Sequence, residues 1–127
     1  MRQDKDVDIL CRKWQDLLRL NDWNVAVELI RESEFSEPDR AGEVYITLSK
    51  GEALIRLLDP LIPTQDCPFP YDLEQTLVHE LLHLHFATFE PQDDDLKHDL
   101  WERAVESIAK TLIALYRRIP EDAPAKV

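Results

Sequence analysis

The stretch that most constrains this chain is Leu77-Val78-His79-Glu80-Leu81-Leu82-His83-Leu84, where three ionisable residues lie among five aliphatic ones. Aliphatic side chains must be buried, while ionisable ones rarely enter a core without partners. A fold that accepts this segment must therefore bury one side of it and give the other a site. On a helix, residues four apart lie one turn above each other, so His79 and His83 present their imidazoles on one side. Two neutral imidazoles so spaced can hold a divalent ion at about 2.0–2.1 Å per nitrogen. Glu80 lies about 100° around the axis from His79, near the ligand direction but not on it. A carboxylate there can act as general base towards a water whose pKa a metal has lowered. With four His and 12 Glu in the chain, an H-E-x-x-H arises by chance with a probability of about 1%. The alternative, a core helix whose histidines only satisfy polar contacts, is weakened by the motif's position within a helical apolar pattern. His85 is about 240° from His79 and points away, so it is expected to face solvent or pack rather than bind metal.

The surrounding pattern predicts an α+β domain. Val7, Leu10, Cys11, Trp14, Leu17 and Leu18 recur at helical steps over residues 5–20. Asn21-Asp22 breaks that pattern, and Trp23, Val25, Val27 and Leu29 then alternate as a strand. The polar segment 31–40 reads as a loop, followed by strands at Glu43–Ser49 and Ala53–Leu58, the second of which could equally begin a helix. Pro60, Pro63, Pro68 and Pro70 make 59–71 an irregular connection. Asp72 and Gln75 resemble a capping box opening a helix that runs to about Phe86. A final helix spans about Leu96 to Arg118, with Pro120 stopping it and residues 120–127 expected to be a disordered tail. The expected architecture is a small antiparallel or mixed sheet of about three strands packed on the N-terminal, motif and C-terminal helices.

Charge narrows the partners. Against 26 Asp and Glu stand 15 Lys and Arg, a formal net charge of −11. That excess argues against binding the nucleic-acid backbone or an anionic membrane. No run approaches the roughly 20 apolar residues of a membrane span. The charged N-terminus carries no secretory signal pattern. Cys11 and Cys67 lack the close spacing of a zinc or redox motif, so a cytoplasmic location is expected.

A catalytic zinc usually has three protein ligands and an open position. His98, Glu102 and Glu106, spaced i, i+4, i+8, share one side of the last helix, and spacing does not choose among them. His79-Glu80-Leu81-Leu82-His83, followed about twenty residues later by a helical Glu with another acid one turn on, resembles the gluzincin clan of zinc peptidases. The resemblance implies that Glu102 is the third zinc ligand and that Glu106 accepts a hydrogen bond from His79. The clan usually has Asp at that last position, and Glu106 is one methylene longer. The chain also resembles the minimal single-domain members often called minigluzincins. Similar short proteins occur among phage and prophage genes with blocks like Thr76–Phe86 and Glu102–Leu112. On this resemblance, residues 1–119 form one zincin-like metallopeptidase domain that binds Zn²⁺ and cleaves a peptide or protein substrate.

The rival SprT-like group uses a histidine as third ligand, which would be His98. That group places Gly next and an aromatic four positions on, whereas His98 is followed by Asp99, with Trp101 three positions on. A substrate strand is expected to pair with an exposed sheet edge, for which the strand at Ala53–Leu58 is the candidate. Its Arg56 would then contact an acidic substrate group or, as the preferred reading, be a solvated edge charge. Larger gluzincins stabilise the tetrahedral intermediate with groups from a second subdomain. The donors available for that role here are Tyr71, Tyr116 and His98, with packing the preferred role for the two tyrosines. The alternative function is a zinc-binding but non-cleaving or autoinhibited interaction protein of phage or prophage origin.

Overall fold

The computed structural model describes residues 2–61 and 70–120. Its elements are α1 (Lys5–Leu17), β1 (Asn24–Ile30), β2 (Gly42–Thr47), β3 (Glu52–Leu58), α2 (Leu73–Phe86) and α3 (Asp95–Tyr116), with three short 3-10 turns between them. The fold is α+β: three helices and a three-stranded mixed sheet. Most of the connection expected over residues 59–71, Cys67 and nearly all of the expected tail fall outside the described residues.

α1 begins at Asp4, whose side chain accepts from the backbone N–H groups of Asp6 and Val7. It stops at Leu17 rather than at residue 20, because Arg19 takes a left-handed conformation with φ of 59°. β2 ends at Thr47, two residues earlier than the alternation suggests, and Leu48–Lys50 turn the chain. Gly51 follows at φ 62°, where a side chain would be strained.

The strand order is β1-β3-β2, with β3 parallel to β1 and antiparallel to β2. The expectation that Ala53–Leu58 forms the exposed edge is therefore wrong. β3 is the central strand, and β2 is an edge. The almost unbroken apolar run of β3 is suited to pairing on both sides, whereas β2 mixes Glu43, Tyr45 and Thr47 into its alternation. Arg56 is corrected with it. Its register partners are Glu28 and Glu43. Its guanidinium bonds Glu28 Oε1 at 2.9 Å and Glu43 Oε2 at 3.2 Å, so it is an interstrand tie in mid-sheet and not a solvated edge charge.

One face of the sheet, through Val25, Val27, Leu29, Ile55 and Leu57, joins the core with Cys11 and Trp14 of α1 and Val105, Ala109 and Ile113 of α3. α2 runs through this core. Leu77, Val78 and Leu81 are fully buried, and the helix packs against α1, α3, β2 and β3. Burying each such aliphatic side chain stabilises the fold by about 1.5–3 kcal/mol. The motif helix is thereby fixed along its length, which a site built on it requires.

Candidate metal centre

α2 opens at Asp72, whose Oδ1 accepts from Gln75 N at 3.1 Å. The reciprocal half of the expected capping box is missing. The Gln75 side chain instead donates to Glu106 Oε1 on α3 at 3.3 Å. Arg117, beyond the end of α3, bonds both Asp72 oxygens at 2.7 and 3.0 Å. The two helices are thus tied at the entrance of the motif helix.

One turn further along α2, His79 and His83 lie side by side, with ring centroids 5.0 Å apart. Glu102 of α3 meets both: its Oε1 is 2.9 Å from His83 Nε2 and its Oε2 is 3.4 Å from His79 Nε2. On the far side of the His79 ring, Nδ1 is 2.9 Å from Glu106 Oε2. Nδ1–H donates to that carboxylate, and the Nε2 edge of the ring faces His83 and Glu102. Glu80 lies between the histidines and the sheet, 6% exposed, with Oε1 4.0 Å from His83 Nε2.

His79, Glu80 and His83 could hold a metal ion, with one ligand atom from each lying within 4.8 Å of the others. The donor set of imidazole and carboxylate suits a divalent metal ion, and zinc gives a scale for the distances. Tetrahedral bonds of about 2.0–2.1 Å place neighbouring ligand atoms about 3.3–3.4 Å apart. Glu102 reaches the imidazoles through two different oxygens, one at that value, 3.4 Å from His79 Nε2, and one at the hydrogen-bond distance of 2.9 Å from His83 Nε2. Charge fits as well. Burial lowers the His79 pKa, but the Glu102 hydrogen bond and the carboxylates of Glu80, Glu106 and Glu102 outweigh it and raise the value. Hydrogen bonds from His79 and His83 hold the Glu102 carboxyl far below the ordinary carboxylate range. Burial pushes the Glu80 carboxyl up, against the pull of His79 and His83. The cluster thus attracts positive charge between the imidazoles and Glu102, and keeps a basic carboxylate beside it.

A cleft of about 420 Å³ opens over this group, walled by Arg40, Gly42 and Val44 on one side and by His98, Trp101 and Glu102 on the other. His98 lines the cleft, but its Nε2 is 3.3 Å from Glu90 Oε2 and its ring lies against Trp101. His85 is on another side of α2, with Nε2 2.7 Å from Leu18 O. Tyr71 packs beside the buried cluster of Ile30, Phe35 and Leu58. Tyr116 packs against Trp14 with the two rings tilted by 56°. Of the three donors considered from sequence, His98 alone lines the cleft.

Sequence reasoning missed Gly42, Gln75 and Arg40. Gly42 carried a signal, being one of only two glycines in the chain. From sequence, Gln75 has the signature of a cap alone, and Arg40 belongs to a polar loop with nothing to mark it. No family model matches this chain, and neither a curated protein nor a solved structure matches it. Among the described residues, no helix is long and apolar enough to cross a membrane.

Proposed function

We propose that this protein is a zinc-dependent metallopeptidase of the minimal gluzincin type. His79, His83 and Glu102 would hold the ion, and Glu106 would orient His79. The observation that carries the reading is the meeting of His79 Nε2, His83 Nε2 and the Glu102 carboxylate beside a buried Glu80. An ion pair between the histidines and the half-exposed Glu102 gives no reason to bury a second carboxylate, Glu80, beside it, since a buried charge is costly. A hydrolase needs that second carboxylate.

Zinc, when bound, supplies Lewis acidity, polarising a carbonyl and lowering the pKa of water. Glu80 accepts the proton of the attacking water at a carboxylate oxygen and delivers it to the leaving amine. Its raised affinity for a proton suits both halves of that transfer. Glu106 and Gln75 hold the His79 ring by its Nδ1 side. The substrate strand lies along β2, the edge strand that lines the cleft, taking the place that sequence reasoning gave to β3.

The test is metal analysis of the purified protein with hydrolysis of an unfolded protein substrate by the wild type and by Glu80→Gln. One zinc per chain is expected in both, with cleavage only by the wild type. Full thermal stability after chelation would remove the metal site from the reading. Zinc retained without cleavage by the wild type would identify a zinc-holding interaction protein instead.

A further inference from the structure

Among the described residues lining the cleft, Arg40 is the one Lys or Arg. It follows Asp39, whose φ of 64° turns the chain through the left-handed region just before β2. Two residues on, Gly42 abuts Glu80, and a Cβ placed there would be 3.2 Å from Glu80 Oε2. An extended chain rises about 3.3 Å per residue, so the Arg40 backbone is no more than about 7 Å from Gly42. The Arg40 side chain therefore leaves the backbone close to the strand residue that walls Glu80, and it lines the same cleft.

Its guanidinium is only partly engaged. One short bond, 2.9 Å from NH2, goes to Glu37 Oε2, and the Glu37 side chain is 66% exposed. A surface pair of that kind is weak and readily exchanged. The other acid nearby, Glu43, is 3.7 Å away and already satisfied. Its Oε1 accepts from Ser36 N and Oγ, and its Oε2 from Tyr45 and Arg56. A guanidinium has five N–H donors in a fork that matches a carboxylate bidentately. The cleft is otherwise acidic, with Glu43 and Glu80 near Arg40 and Glu90, Asp99 and Glu102 across from it, so an anion needs a cation to enter. Apart from the ion that the imidazoles would hold, Arg40 is the cation that the described residues lining the cleft offer an anionic group.

The position of Glu80 relates this cation to the substrate. Glu80 must reach the leaving amine, so the residue that owns that amine lies against Glu80, in the cleft that Arg40 also lines. We infer that Arg40 is a specificity residue that selects a carboxylate on the residue supplying the leaving amine. The carboxylate is either an Asp or Glu side chain or a free C-terminus. The inference rests on the peptidase reading above and adds its substrate class.

The experiment uses the zinc-loaded full chain and measures binding calorimetrically for hydroxamates of the form HONH–CO–CH2–CH(R)–CO–X, in which CH(R) stands where the Cα of the residue supplying the leaving amine would lie. One pair has X as methylamide and R as CH2COOH or CH2CONH2, for the side-chain source. A second pair has R as CH3 and ends at X in a free carboxylate or a primary amide, for the terminal source. In at least one pair the carboxylate member is expected to bind wild type about tenfold or more tightly than its neutral partner. Arg40→Ala is expected to bring that ratio to near one while leaving the neutral members within about threefold. Arg40→Lys keeps the charge, should retain part of the preference, and serves as the readout if Arg40→Ala fails to fold. A wild-type ratio near one in both pairs, or a preference that survives Arg40→Ala, overturns the assignment. Tight binding of all four compounds without preference removes only the role of Arg40. Failure of all four to bind removes the peptidase reading and the inference together.

Discussion

Gly42 of β2 lies so close to Glu80 of α2 that even a Cβ on it would crowd the Glu80 side chain, 3.2 Å from Oε2. A Cβ on Gly42 would lie 2.6 Å from Thr76 Cγ2 and 3.3 Å from Glu80 Cγ. The edge strand is thereby seated against the motif helix at the residue assigned to proton transfer, and the Glu80 carboxylate is walled on its sheet side by backbone. Main chain is a firmer wall than a side chain, because it has no rotamers to change.

Gly42→Ala is therefore expected to destabilise the protein by about 1–3 kcal/mol through overpacking, read from the urea unfolding midpoint. The double variant Gly42→Ala, Thr76→Ser removes the methyl that the new Cβ meets and should recover part of the loss. Thr76 Oγ1 bonds Asp72 O at 3.0 Å, and serine keeps that hydroxyl. Equal instability of the single and double variants would mean that the Thr76 contact is not the cause.

The parts of this structure that were legible in sequence are those governed by one segment at a time. Asp72 and the leucine spacing mark α2, and the alternation of Val25, Val27 and Leu29 marks β1. The order of the strands was not legible, because it depends on which partner buries the run at Ala53–Leu58, and that run suits an edge poorly only once its partners are known. The candidate site divides in the same way. His79, Glu80 and His83 share one helix, and their relation follows from its period. His98, Glu102 and Glu106 share a second helix, and their distances from the first depend on how α2 and α3 cross. Packing of Val105, Ala109 and Ile113 into the core sets that crossing. Glu102 then meets the Nε2 side of His79 and Glu106 its Nδ1 side, while His98, one turn earlier, sits against Glu90.

Glu80→Gln replaces a buried carboxylate by an amide of nearly the same shape. If Glu80 is the general base and not a ligand, zinc stoichiometry should stay at one and hydrolysis should fall by about 10²–10⁴. Loss of zinc from this variant, measured by metal emission spectroscopy after dialysis, would make Glu80 a ligand instead.

Glu102→Ala and His98→Ala separate the two candidates for third ligand. Glu102 contacts both imidazoles, so its loss is expected to weaken zinc binding by about 100-fold or more, in competition with a chromophoric chelator. Glu106→Ala should cost about 10–100-fold through the His79 orientation. His98→Ala should stay within about threefold. A reversed order between Glu102 and His98 would transfer the ligand role to His98.

The tie between Asp72 and Arg117 holds the start of α2 to the end of α3 and should give the acid limb of stability a defined contribution. The Arg117 hydrogen bonds, partly opposed by burial, hold the Asp72 carboxyl below its ordinary value. A carboxyl with a folded pKa below its unfolded one stabilises the native state above the unfolded value, about 3.9 for Asp. That contribution is lost as the pH falls through the folded value, because the unfolded chain takes up the proton more readily. Asp72→Asn keeps a side chain able to cap the helix but removes the charge. It should cost about 1 kcal/mol at pH 6. Near pH 2.5 the difference from wild type should become smaller, because the wild-type carboxyl is then protonated in the unfolded chain and increasingly so in the folded one. Comparing the two proteins at each pH cancels the titration of the other acids, including Asp59, which Arg2 holds low in the same way. A difference in urea midpoint that does not change between pH 6 and 2.5 would mean that the ion pair contributes nothing and that the substitution acts through the cap alone.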